Sequence, residues 1–128
     1  MNSMWTGIAA LNGLVSVAAG AFGAHFLKSR LAAEALATFE TGVRYQMVHA
    51  LAIMAAAWMI ARQPSRAARA SACCFLVGIM LFSGSLYGLS LFEWRWLGPV
   101  TPLGGLAFLS GWALLAAASF TQRATPDA

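Results

Sequence analysis

Long stretches without a charged residue alternate along the chain with short segments that carry the charges. The uncharged blocks are Asn2–Phe26, Tyr45–Ala61, Ala70–Phe92 and Trp96–Gln122. A helix that crosses a bilayer needs roughly 20 mostly apolar residues, because a rise of about 1.5 Å per residue must cover a hydrocarbon core near 30 Å. The pattern therefore predicts four membrane-spanning helices, over residues 4–24, 42–61, 70–91 and 102–120.

The segment between the first two predicted spans has a different periodicity. Leu27, Leu31, Ala35 and Phe39 recur at every fourth position, and the charged residues of this segment occupy other positions. Such spacing predicts a short amphipathic helix over residues 26–40 that lies in the headgroup region. The predicted fold is thus all-α and polytopic: one transmembrane domain over residues 1–122, built as a four-helix bundle with this interfacial helix, and a polar tail at residues 123–128.

Composition supports a membrane protein and excludes an ordinary soluble domain. Hydrophobic residues make up 60% of the chain and charged residues 9%, whereas soluble domains have about 45–50% and about 25%. The net charge of +4 comes from cations at the ends of the predicted spans, where Lys and Arg anchor membrane helices. They form no extended basic surface, so nucleic-acid binding is not expected.

The orientation in the membrane depends on how these cations are distributed. Four of the cations are predicted on the side of both termini and four on the other: Arg62, Arg66, Arg69 and Arg123 against Lys28, Arg30, Arg44 and Arg95. The short loop from Arg62 to Arg69 contains no acidic residue. Because short basic loops stay in the cytoplasm, we expect both termini on the cytoplasmic side.

Two local features bear on processing and redox state. Ala19-Gly20-Ala21 resembles a signal-peptide cleavage site, but no Lys or Arg precedes it, so we expect this segment to stay as the first span. Cys73 and Cys74 are adjacent in a predicted helix, where neighbouring side chains point about 100° apart and cannot easily pair. We expect them to be small buried side chains.

Small residues form two stripes that predict helix packing. Asn12, Ser16 and Gly20 are four residues apart on the first span, and Gly84 and Gly88 form a small-xxx-small pair on the third. Helices in lipid associate through close backbone approach and interhelical hydrogen bonds, which both stripes permit. For the first stripe, the alternative to packing is a groove that binds a ligand.

Five short motifs follow one another along the chain: GAFGAH at Gly20–His25, YQMVHAL at Tyr45–Leu51, FSGSLYGL at Phe82–Leu89, TPLGG at Thr101–Gly105 and GW at Gly111–Trp112. In these motifs the chain resembles a family of small inner-membrane proteins catalogued as domain of unknown function 423, with relatives in bacteria and animal mitochondria. The resemblance covers nearly the whole chain. It implies four helices in an energy-conserving membrane, and it implies no particular reaction.

The polar residues of the predicted spans converge on one half of the bilayer if the helices bundle in sequence order. The predicted polar cluster, a possible ligand-binding site, comprises His25, Glu40, Arg44, Tyr45, Gln46, His49 and Tyr87. An ionisable residue in a span is costly unless it faces the protein interior and finds a partner. We therefore predict that His25 and His49 face protein, with at least one of them hydrogen-bonded.

Three interpretations of the two histidines stay open. They form a structural polar clamp, they contact a small molecule, lipid headgroup or quinone, or they ligate a metal or haem. No cysteine or acidic residue at suitable spacing completes a recognised metal site, so no metal or other cofactor is expected.

The chain lacks the motifs of the better-known enzyme and transporter classes. Glu40 and Glu93 lie at helix ends rather than within a span, where an ion-coupled antiporter needs an acid. No nucleophile–base–acid set, phosphate loop or zinc motif occurs. The leading hypothesis is a non-enzymatic accessory protein that binds lipid, a larger membrane complex or a second copy of itself. One alternative is a small oligomeric permease or channel lined by the stripe of Asn12, Ser16 and Gly20. Another is a haem, metal or quinone accessory protein that uses His25 and His49.

Overall fold

The computed structural model describes residues 3–122, and this part of the chain is helical with short connections. Its α-helices are α1 (Ser3–His25), α2 (Ala33–Arg62), α3 (Arg66–Gly78), α4 (Gly84–Phe92) and α5 (Val100–Gln122). Two 3-10 turns, Leu27–Ser29 and Arg95–Leu97, precede α2 and α5, and a π-helical segment, Ile79–Ser83, joins α3 to α4. The predicted polar tail at residues 123–128 lies outside the described residues.

Four helical stretches are long and apolar enough to cross a membrane: Met4–Ser29, Ala33–Arg62, Arg66–Phe92 and Arg95–Thr121. The third of them consists of α3, the π-helical segment and α4 in one uninterrupted run. The four-span, all-helical prediction is therefore confirmed.

The prediction of a separate interfacial helix between the first two spans is wrong. After the 3-10 turn, α2 runs without a break for 30 residues from Ala33 to Arg62. No proline interrupts this stretch, and the hydroxyls of Thr38 and Thr41 bond to carbonyls one turn earlier, as a helix allows. At about 1.5 Å per residue α2 is about 45 Å long, which exceeds a core of about 30 Å. Its amphipathic first turns therefore extend the second span beyond the apolar core.

The helices are not equivalent in the bundle. α2 is central and contacts α1 on one side and α3 and α4 on the other, while α5 packs on α3 and the π-helical segment. In the apolar window of α2 half of the residues are buried (50%), against 17% in that of α1. α1 packs mainly on α2, so most of its surface is left to face lipid.

Small residues bring the central helices close together. The core between α2, α3 and α5 combines two large rings, Phe75 and Phe108, with several buried alanines. Three glycines lie at the tightest crossings: an added Cβ at Gly78 would collide with the ring of Phe108, one at Gly104 with the backbone of Phe82, and one at Gly111 with the ring of Phe75. Small side chains are what close helix approach in lipid requires.

Within the monomer, the predicted small-xxx-small pair of the third span does not pack against another helix. Gly84 is exposed, with nothing within 4 Å of an added Cβ, and Gly88 packs against Leu97 of the second 3-10 turn rather than against a helix. The four-residue spacing places both glycines on one face of a helix, but it does not determine what covers that face. The cysteines also differ from expectation, since Cys73 is exposed and Cys74 half-buried.

Candidate functional site

Gln46 is the centre of a hydrogen-bonded chain that links three helices. Its side chain is only 5% exposed. Gln46 Nε2 donates to Asn12 Oδ1 at 3.2 Å, and Gln46 Oε1 accepts from the Tyr87 hydroxyl at 2.7 Å. Asn12 Nδ2 in turn donates to the carbonyl of Ile8 at 2.9 Å. The chain of bonds therefore connects α1, α2 and α4 and gives every side-chain nitrogen and oxygen of Asn12, Gln46 and Tyr87 at least one partner.

His49 lies one turn further along α2, and both of its ring nitrogens have partners. Nδ1 is 2.7 Å from the carbonyl oxygen of Tyr45, and Nε2 is 3.1 Å from Nε1 of Trp112. A carbonyl only accepts and an indole N–H only donates, so Nδ1 carries the proton and Nε2 accepts. The imidazole is neutral in this arrangement. The ring of Phe108 stacks on it with centroids 3.5 Å apart and planes 8° from parallel.

His25 is not part of this cluster, which corrects the predicted arrangement of the two histidines. It is exposed at the end of α1. Gly23 of α1 lies against Phe39 of α2, so His25 is near the level of Phe39, ten positions before His49, or about 15 Å along the helix. Within one chain the two histidines are therefore too far apart to ligate the same metal or haem, and His49 Nε2 already accepts a hydrogen bond.

The other predicted cluster residues divide into two groups. Tyr45 is partly exposed, but its ring packs on Phe82 with centroids 4.5 Å apart. Glu40 and Arg44 are exposed and line a shallow depression of about 240 Å³ between α1 and α2. The structure thus brings Tyr45, Gln46, His49 and Tyr87 together and leaves the three remaining residues at the surface.

The small-residue stripe of α1 lies against α2. Ser16 is completely buried, its hydroxyl donates to the carbonyl of Gly13, and an added Cβ at Gly20 would be 3.4 Å from Val43. Asn12 completes the contact through Gln46. α2 therefore covers the stripe at Ser16 and Asn12, and the stripe borders the shallow depression only at Gly20.

Three further hydrogen bonds between helices or their connections were not predicted from the sequence. The hydroxyl of Ser71 donates to the carbonyl of Gly111 at 2.8 Å, that of Ser83 donates to the carbonyl of Gly42 at 2.7 Å, and those of Ser85 and Thr101 are 2.6 Å apart. In the described part of the chain, every buried side-chain nitrogen or oxygen has a hydrogen-bond partner.

Trp112 and Phe108 also escaped prediction, because a Trp or Phe in an apolar span gives no sign of the residue it contacts. The motif that ends in Trp112 was the only signal that could have pointed to it. Both rings contact His49, so α5 supplies the ring that stacks on the imidazole and the N–H that donates to it.

A cleft opens where the start of α2 meets the end of α4. Its volume is about 630 Å³, and its polar lining consists of Arg30, Glu34, Thr38, Ser90, Glu93 and Arg95. Within the described residues, its four charged side chains form no salt bridge with one another. The guanidinium of Arg30 instead lies over the ring of Phe26, 4.0 Å from its centroid.

The backbone at one edge of this cleft is unusual. Glu93 ends α4 with a φ of 55°, in the left-handed region, and no other non-glycine residue of the described chain has a positive φ. Glycine is the usual residue at such a helix end, because a Cβ is disfavoured there. Glu93, which lines the cleft, therefore adopts a backbone conformation that glycine would adopt with less strain.

Comparison with known proteins places the chain in a family. The family model described as "Protein of unknown function (DUF423)" matches residues 19–105. The chain belongs to this family.

Its relatives are membrane proteins of similar length. A UPF0382 membrane protein of Haemophilus influenzae is 42% identical over 96% of this chain and 98% of its own. The UPF0382 inner membrane protein YgdD of Escherichia coli K12 is 44% identical over 84% of this chain and 82% of its own, and the UPF0382 membrane protein YwdK of Bacillus subtilis is 39% identical over 88% and 92%. No solved structure matches the chain. With four spanning helices and these relatives, the chain is a multi-pass inner-membrane protein.

The range that the DUF423 model matches includes both parts of the site. It contains Gln46, His49 and Tyr87 of the buried cluster and all of the polar residues that line the cleft. It ends before Phe108 and Trp112 and starts after Asn12. The partners that α1 and α5 supply to the buried cluster therefore lie outside the matched range.

Proposed function

We propose that the protein is a non-enzymatic binding protein of the inner membrane, an accessory of a membrane complex or of its lipid, which works without a cofactor. The observation that carries this proposal is the contrast between its interior and its surface. The buried polar groups of the described chain all have partners within it, whereas the four charges at the cleft do not pair with one another. The groups that are available to a ligand are thus at the membrane surface.

The buried cluster suits a structural role better than catalysis or transport. A reacting or ligating group needs a nitrogen or oxygen that is free to meet its substrate, and both ring nitrogens of His49 already have partners, one within α2 and one on α5. A path along α1 would need the stripe that Ser16 and Asn12 use to pack on α2. Neither a histidine-based redox accessory nor a channel along this stripe is supported.

Site-specific photocrosslinking in native membranes tests the proposal. A photoreactive residue at Leu91, which lines the cleft, is compared with one at Val17, which is 60% exposed on α1. We expect the cleft position to give a discrete lipid or protein adduct and the control position to give only bulk lipid.

Two measurements on the purified protein would contradict the proposal. One is visible absorbance of a bound haem or a stoichiometric metal. The other is solute flux into proteoliposomes that depends on the protein and is lost when it is unfolded. Identical adducts at the two crosslinking positions would also count against it.

A further inference from the structure

The cleft between α2 and α4 has balanced charge, which restricts the ligands that it suits. Two arginines, Arg30 and Arg95, and two glutamates, Glu34 and Glu93, line one opening of about 630 Å³. Pockets of about 300–1,000 Å³ are typical of small-ligand sites. An anionic ligand would meet the two carboxylates and a cation would meet the two guanidinium groups. A ligand with one charge of each sign meets neither conflict.

The position of the cleft indicates that this ligand is part of the bilayer. The cleft lies where the turn between α1 and α2 meets the turn between α4 and α5. Beside it, Trp94 and Trp96 are 48% and 70% exposed, as is common for aromatic residues at the level of lipid headgroups. Leu31, Leu89 and Phe92 add apolar lining. A ligand with a polar head and an apolar body matches this surface.

We propose that the cleft binds the headgroup of a zwitterionic phospholipid that carries a primary ammonium, with the phosphate at Arg30 and Arg95 and the ammonium at Glu34 and Glu93. Guanidinium groups bind phosphate oxygens through paired N–H donors. A primary ammonium has three donors for carboxylates, whereas a quaternary ammonium has none and is bound by aromatic cages. The left-handed Glu93 supports the assignment, since it places a carboxylate where glycine would fit with less strain.

This inference rests on the proposed binding function and names the ligand of the cleft between α2 and α4. The test uses the full-length protein in nanodiscs that contain phosphatidylethanolamine and phosphatidylcholine in equal amounts, and native mass spectrometry counts the lipids that stay bound. We expect phosphatidylethanolamine to be enriched over phosphatidylcholine by about tenfold, the factor that corresponds to roughly one charge-assisted hydrogen bond.

The variants separate the two halves of the headgroup. Glu34→Gln with Glu93→Gln should reduce the enrichment to near one, because the amides keep the shape of the side chains but lose their charge. Arg30→Ala with Arg95→Ala should reduce retention of both lipids. The matched control is Glu40→Gln with Arg44→Ala, which changes exposed charges outside the cleft, and it should behave as the unaltered protein. Thermal unfolding of each variant reports whether it is folded.

Three results would overturn the inference. Folded cleft variants that keep the full enrichment would show that these charges do not select the headgroup. Preferred retention of an anionic phospholipid would contradict the zwitterionic assignment. Displacement of the lipid by soluble glycerophosphoethanolamine at an equal concentration would identify a free solute as the ligand instead. If any of these occurs while the crosslink at Leu91 to a protein persists, the lipid assignment fails and the binding function stands.

Discussion

Replacing Gly104 with alanine should separate α5 from the π-helical segment. The new Cβ would lie against the backbone nitrogen of Phe82, 2.7 Å from its Cβ and 2.8 Å from its Cα. Carbon atoms in contact are normally about 3.5–4.0 Å apart, so one of the two helices must move by nearly 1 Å. Because the obstacle is backbone rather than the end of a flexible side chain, rotamer changes cannot relieve it.

Substitution of the adjacent Gly105 is the control for the size of the change in the free energy of unfolding. An added Cβ at Gly105 has nothing within 4 Å, so Gly105→Ala gains only the helix propensity of alanine, up to about 1 kcal/mol. Gly104→Ala gains the same amount and loses about 1–3 kcal/mol to overpacking. The difference in the free energy of unfolding between the two variants isolates the packing cost and should be about 1–3 kcal/mol in favour of Gly105→Ala.

Unfolding by sodium dodecyl sulfate in mixed micelles, followed by far-UV circular dichroism, measures this difference. The two variants share composition, neighbours and helix, so detergent affinity and expression affect them alike. Equal unfolding midpoints, or a more stable Gly104→Ala, would refute the close approach of α5 to Phe82 and with it the arrangement of the central helices.

Three further predictions concern the hydrogen bonds and the topology. Gln46→Leu removes the bonds to Asn12 and Tyr87 and should lower the free energy of unfolding by about 1–2 kcal/mol. Such bonds average about 0.6 kcal/mol each in membranes, and the Asn12 Oδ1 and the Tyr87 hydroxyl lose their partners. An unchanged midpoint would contradict this. Trp112→Phe keeps a ring but removes the donor to His49 Nε2, so the ¹⁵N shift of that nitrogen should change and about 1 kcal/mol of stability should be lost, whereas an unmoved shift would show that the bond is absent. Reporter fusions at the two termini should fall on the same side of the membrane, and opposite results would mean that a span is miscounted.

The number and type of the spans could be predicted because the bilayer imposes them. Charged residues are unfavourable in the part of a helix that crosses the hydrocarbon core. The uncharged blocks of the sequence therefore show where the spans lie. The residue at which the second helix begins could not be predicted from the uncharged blocks. From Ala33 to Gly42 the residues suit a helix in the headgroup region and the first turns of a longer one equally well, and only the absence of a break in α2 decides between them.

Contacts between side chains of different helices are harder to predict from the sequence, because they depend on how each helix is rotated about its axis. The sequence placed Tyr87 and Gln46 on the same level, and the structure joins them by a hydrogen bond. It also placed Gly84 and Gly88 on a packing face, but Gly84 has no neighbour there and Gly88 contacts Leu97 of the turn that follows α4. The spacing of small residues indicates which positions share a face, and it does not indicate which element covers that face.

The cleft also could not be predicted from the sequence. Its charges come from two turns that are about sixty residues apart along the chain, near Arg30 and near Glu93, and in sequence each group is an ordinary set of charges at a helix end. The two turns become one site because α2 extends past the apolar core and meets the end of α4. The long second helix thus has two consequences. It carries Gln46 and His49 in the interior, where their hydrogen bonds hold the neighbouring helices, and its first turns complete a polar cleft at the membrane surface.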